Sequence, residues 1–235
     1  CSGGAPVPPT LLKAVQARGI PMLQMFSLTE SSAAGTVLPN ADALRKVGSA
    51  GIPIIHGGLK IADDDDNEVP VGEVGEILLS GPHVMAGYWN NPEASIAALR
   101  GGWLHTGDLG RVDEEGYLYV VDRKKDMLIS GGLNVYPAEI ERVLAGMPGI
   151  VEVAVIGVPH EKWGEAPAVV VFTGGAEVKA EDVLARCKAQ LADFKLPRYF
   201  HVSPTPLPRN MSGKILKREL KIELAHLPQT SQAIR

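Results

Sequence analysis

The sequence predicts an α+β protein, and three observations carry that prediction. Residues 48–121 hold short apolar segments separated by Gly-containing and acidic turns, the grammar of strands. Beyond Asp122, apolar residues recur at helical spacing around two apolar runs, 151–158 and 166–172, which read as paired strands. The 235 residues are 45% hydrophobic and 21% charged, which excludes intrinsic disorder and suits one large domain or two ordinary ones.

Taken in order, residues 11–18 read as a short helix after a Pro-rich entry, and Pro21–Phe26 as an apolar strand. Strands follow at Ile52–Ala62, Glu73–Ser80 and Tyr117–Val121. The run Asp63–Asp66 reads as a solvated hairpin tip, since the Gly and Glu spacing of a calcium loop is missing. Residues 113–116, DEEG, read as a second hairpin turn in which Gly takes positive φ. Pro137 suits a first helical turn, where its missing N–H is not needed, and Ile140, Val143, Leu144 and Met147 continue that helix along one face. A helix over 180–192 puts Val183, Leu184, Cys187 and Leu191 together, which makes Cys187 a core residue. A last helix turns Leu216, Leu220 and Leu224 inward and Lys217, Arg218 and Lys221 outward. The domain boundary falls at Asp122–Arg123.

Charge is distributed unevenly. Residues 1–122 carry a net −8 and residues 123–235 a net +4. The basic half suits phosphate-bearing ligands or the acidic half itself, and without a stacked aromatic series it argues against nucleic acid. No apolar run is long enough for a transmembrane segment, and two cysteines point to a reducing, cytoplasmic setting. The opening CSGGAP, without an initiator Met, reads like the interior of a longer chain.

Four segments carry chemistry. In QMFSLTE (24–30), Phe26 can stack on a purine, Thr29 can bond a phosphate and Glu30 can hold Mg²⁺, a hard ion that takes oxygen ligands; equally, Phe26 is core and Thr-Glu begins a helix. In GWLHTGDLG (102–110), the carboxylate of Asp108 can accept two ribose hydroxyls or bond its own turn, and His105 is given no role. In DRKKDMLISGGLNVYPAEIE (122–141), three cations precede Gly131–Gly132, where a narrow ligand can lie against bare backbone or a hairpin simply needs Gly. In LPRNMSGKILKREL (207–220), Lys214 precedes an amphipathic helix, as a point charge for a phosphoryl group or as a solvated lysine.

In order and spacing, these segments, together with GEILLSGPHVMAGYWNNPEAS (75–95), resemble the C-terminal part of the adenylate-forming superfamily. The wording of the third and fourth segments is most similar to AMP-forming acyl-CoA synthetases. The resemblance implies a remnant of a large α/β domain (about 1–47), a small distorted β-barrel (about 48–122) and a compact, mobile α+β domain (123–235). It implies that Gly3, Gly4, Ala5 and Pro6 line an adenine pocket and that Phe26 stacks where Tyr is usual. Thr29 would contact phosphate, Glu30 would hold Mg²⁺, and Asp108 with Arg123 would bind ribose. Asp122 would be the hinge, Gly131 and Gly132 the pantetheine channel, and Lys214 the catalytic lysine.

The implied reaction joins a carboxylic acid to CoA through ATP and an acyl-adenylate. Loading of a carrier-protein thiol and a non-catalytic nucleotide-binding module are the alternatives. No Ser/Thr/Gly-rich phosphate-cradling loop occurs in the 235 residues, so the chain by itself is expected to be inactive, and its uncovered strand edges favour a homo-oligomer.

Overall fold

Each half of the chain builds its own sheets. The computed structural model describes residues 1–3, 7, 9–211, 213–230 and 233–234, and divides them into the units Cys1–Lys124 and Lys125–Arg235. Gly4, Ala5 and Pro6, expected in the adenine pocket, lie outside the described residues.

In the first unit, helix α1 (Pro9–Gln16) precedes an antiparallel sheet of β1 (Gln24–Phe26), β2 (Thr36–Leu38) and β3 (Ile52–Pro53). The strand expected over 52–62 is two strands in different sheets. The chain turns at Ile54–Gly57, with His56 at φ 64°, before β4 (Gly58–Ala62) begins. A meander follows: β4, β5 (Gly75–Ser80), β6 (Leu104–Val112) and β7 (Leu118–Arg123), each paired to the next. The expected barrel is an open four-stranded sheet, because β4 and β7 are its unjoined edges. Its core gathers Ile61, Ile77, Leu79, Leu104 and Leu118. Helix α2 (Pro92–Ala98), absent from the sequence reading, starts where Asn91 Oδ1 accepts the Ala94 N–H at 3.1 Å and Pro92 takes the first turn. The DEEG turn forms with Gly116 at φ 77°, and Asp113 Oδ1 accepts from Glu115 N and Tyr117 N, each at 3.0 Å.

The Asp63–Asp66 tip does turn, with Asp63 Oδ1 accepting from Asp65 N and Asn67 N, but it is more than a solvated tip. Asp64 pairs with Lys124 at 2.7 Å and Asp66 with Arg100 at 3.0 Å.

The second unit starts with the hairpin β8 (Leu128–Ser130) and β9 (Leu133–Val135), then α3 (Pro137–Leu144) and the long antiparallel pair β10 (Glu152–His160) and β11 (Gly164–Phe172). Helix α4 (Ala180–Lys188), strand β12 (Tyr199–Ser203) parallel to β11, α5 (Lys217–Glu223) and α6 (Leu227–Thr230) complete it. Alternate residues of β10 and β11 face opposite layers, which explains their continuous apolar runs. Val155, Val169 and Val171 pack with Ile140 and Leu144 of α3 and with Val183 and Cys187 of α4. Ala154, Ile156, Ala168 and Val170 pack with Leu220 of α5 and Leu227 of α6. Burial pushes the Cys187 thiol up to about 11, so it is an inert core group. Lys217, expected outward, pairs with Glu141 at 2.7 Å. Among the described residues, no helix is long and apolar enough to cross a membrane.

Candidate active site

The most fully determined feature of the site is the backbone that presents Asp108. Glu76 of β5 lies opposite Leu109 of β6, and Leu78 opposite His105. One residue, Ile77, therefore faces three, Thr106, Gly107 and Asp108, and β6 bulges. Gly107 sits at φ 70°, a conformation that glycine adopts without steric cost. Four hydrogen bonds tie the bulge. Thr106 Oγ1 donates to Ile77 O at 2.7 Å and accepts from Asp108 N at 3.1 Å; Gly107 N donates to Glu76 Oε1 at 3.1 Å; Gly107 O accepts from Lys124 N at 2.9 Å. Across β7, Arg123 faces Asp108 in register, its Nε 3.4 Å from Asp108 Oδ1, with the arginine side chain more exposed than the carboxylate. The two residues expected to share the ribose thus form one cross-strand pair.

Glu76 itself was not anticipated. It is 6% exposed, and its Oε2 accepts from Lys124 Nζ at 3.0 Å. Burial pushes its carboxyl up, but the Lys124 ammonium and the Gly107 N–H outweigh that and hold it below the usual carboxylate range. Lys124, the second of the three cations that precede β8, is shared between Glu76 and Asp64. Asp122, the expected hinge, is buried in β7 opposite Leu109, and its Oδ1 accepts from Arg123 N at 2.7 Å.

The second cluster lies at the end of β1. Ser2 bridges to Gln24, with Ser2 N donating to Leu23 O and Met25 N to Ser2 O, which lays Gly3 beside the strand. A Cβ on Gly3 would meet Met25 O at 3.5 Å and Ser27 Oγ at 3.8 Å. Phe26 is partly buried against the core of the four-stranded sheet. Thr29 and Glu30 open a single 3₁₀ turn, Thr29–Ser31. Tyr88 donates its hydroxyl to Glu30 Oε1 at 2.9 Å, and Met85 N donates to Glu30 O at 2.8 Å, so the segment after β5 orients the carboxylate. Tyr88 also escaped the sequence reading; its distance along the chain gives no local signal. Among the described residues no three or more His, Cys, Asp or Glu side chains gather to hold a metal. The Glu30 carboxylate is an oxygen ligand of the kind that Mg²⁺ takes.

The second unit holds the rest. Gly131 and Gly132, at φ 60° and 81°, are the two-residue loop between β8 and β9, and the type I′ pattern of such a loop accounts for both glycines. A Cβ on Gly131 would fall 2.5 Å from Trp163 Cε3, while nothing lies within 4 Å at Gly132. Lys214 is exposed, on a loop closed by Asn210 N to Lys214 O at 3.0 Å and Lys214 N to Asn210 Oδ1 at 2.9 Å. Arg209 reaches Gly213 O and pairs with Glu152 at 2.7 Å, which fastens that loop to β10.

Comparison with known proteins adds the context. The family described as AMP-binding enzyme matches residues 1–89, and that described as AMP-binding enzyme C-terminal domain matches residues 139–214. The long-chain-fatty-acid–CoA ligase FadD13 of Mycobacterium tuberculosis is 47% identical over 220 residues, 94% of this chain and 43% of that protein. The o-succinylbenzoate CoA synthetase MenE of Bacillus subtilis, solved with its acyl-adenylate intermediate OSB-AMP, is 41% identical at TM-score 0.88, covering 93% of this chain and 45% of its own. The same synthetase with ATP and a magnesium ion matches at 40% identity and TM-score 0.86, over 93% and 45%. The chain spans about half the length of the relatives it matches.

Proposed function

The chain belongs to the family of AMP-binding enzymes, and from that premise we propose that it forms the C-terminal part of an AMP-forming acid–CoA ligase. The observation that carries the reading is the bulge at 106–108, which presents a carboxylate beside Arg123 as a ribose diol requires. In this reading Gly3 and Phe26 flank the adenine, Thr29 bonds phosphate, and Asp108 with Arg123 holds the ribose. Glu30, oriented by Tyr88, would hold Mg²⁺, and the ion would offset phosphate charge.

The substrate carboxylate attacks the α-phosphate of ATP, giving acyl-adenylate and pyrophosphate. Lys214 stabilises the charge that builds in that step. The CoA thiol then attacks the acyl carbon and releases AMP, with its pantetheine arm along Gly131–Gly132. Lys214 and the two glycines lie on different loops of one unit, so the two steps need that unit presented differently. Asp122 would be the hinge between the two presentations. The long-chain-fatty-acid and o-succinylbenzoate names of the relatives set a broad acid panel, and the two unbridged cysteines suit a cytoplasmic enzyme.

The test is ATP–pyrophosphate exchange by the gene product that carries this chain, over short, medium, long-chain and aromatic acids. Exchange stimulated by one acid class supports the ligase and identifies the substrate. Absence of exchange with every acid contradicts it.

A further inference from the structure

We infer that Glu76 is a positioning residue for nucleotide recognition: its buried carboxylate holds the three-residue bulge that aims Asp108. The inference rests on the reading of Asp108 as the ribose ligand and adds a residue to it. A bulge that sets three residues against one leaves N–H and C=O groups outside the ladder, and unmet buried groups are costly. Thr106 and Lys124 meet two of those needs, and Glu76 Oε1 is the acceptor for the third, the Gly107 N–H. Without that acceptor the strand gains by sliding toward regular pairing, and a slip of one residue turns Asp108 to the opposite face. Glu76 is nearly fully buried, so it acts on a nucleotide only through this backbone. Its other oxygen binds Lys124, the last residue of the first unit, so the same side chain fixes the far strand that carries Arg123.

The experiment is equilibrium binding of AMP and of 2′,3′-dideoxy-AMP to the protein carrying this chain, in wild type, Asp108→Ala, Glu76→Met and Glu76→Gln. The wild type should prefer AMP, and Asp108→Ala should abolish the preference. Glu76→Met fills the same space without an acceptor and should cut the preference roughly tenfold, on the scale of a lost charge-assisted hydrogen bond, while leaving dideoxy-AMP affinity nearly unchanged. Glu76→Gln retains an oxygen for Gly107 and should keep most of the preference. If Glu76→Met does not fold, Glu76→Gln still decides, because selective loss of the preference there overturns the acceptor role. Equal loss of both ligands in Glu76→Met, or a preference left intact there while Asp108→Ala abolishes it, overturns the inference alone. A preference that survives Asp108→Ala overturns the ribose reading beneath it.

Discussion

Asp108 and Lys214 are held in opposite ways. Asp108 stands on a bulge inside a four-stranded sheet, where the bulge's own Thr106 hydroxyl, the buried Glu76 carboxylate and the Lys124 N–H fix the peptide groups. Lys214 stands exposed on a loop closed chiefly by Asn210, in a different unit of the chain. The contrast matches their proposed work. A ribose is unchanged through both half-reactions, so its ligand gains from rigidity. The charge at the α-phosphate exists only in the first, so the group that meets it must arrive and leave.

The largest effect should come from Lys214→Ala, with a loss of about 100-fold or more in acid-dependent pyrophosphate exchange, as for removal of a strong transition-state donor. Retained exchange would break the comparison at its catalytic end. Asp108→Ala should come next, raising the KM for ATP by roughly 10- to 100-fold through loss of two charge-assisted hydrogen bonds. Steady-state kinetics at saturating acid separates KM from kcat and checks it. Asn210→Ala should be milder, lowering exchange about three- to tenfold by loosening one capped loop, with the melting temperature barely moved. A large stability loss there would mean that the Lys214 loop is as rigid as the bulge.

The smallest effect concerns pH. The Glu76 carboxyl is held below its ordinary value when folded, so its contribution is present above that ordinary value and is lost as pH falls through the lowered one. Lys124→Met removes the ammonium that helps to lower it, leaving chiefly the Gly107 N–H against the burial, so the carboxyl shifts up. The acid-unfolding midpoint followed by circular dichroism should therefore move to higher pH, by a fraction of a unit. An unmoved midpoint would show that the Lys124 pair contributes nothing to holding the bulge.

The parts of this arrangement differ in how far they can be read from the chain. The alternating faces of β10 and β11 follow from their apolar runs, and Pro137 with Ile140 and Leu144 announces α3, because those signals are local. Strand β6 carries no local signal, because Gly107 and Gly110 interrupt it and only the neighbouring strands keep it extended. Glu76 lies inside the apolar segment GEILLS, where nothing local marks it; its role appears when Gly107, 31 residues away, is brought against it. Lys124 is unmarked for the same reason, since neighbouring cations in sequence look alike until Asp64 and Glu76 close on one of them. Tyr88 joins Glu30 across 58 residues, again a contact that only the fold creates.

The division of labour is tested most directly by supplying preformed acyl-adenylate and following single-turnover thioester formation with CoA, in Lys214→Ala and Asp108→Ala side by side. Lys214→Ala should form the thioester within a few-fold of the wild-type rate, whereas Asp108→Ala should need a much higher acyl-adenylate concentration to do so. Equal impairment of both half-reactions by Lys214→Ala would contradict the assignment of that lysine to adenylation alone.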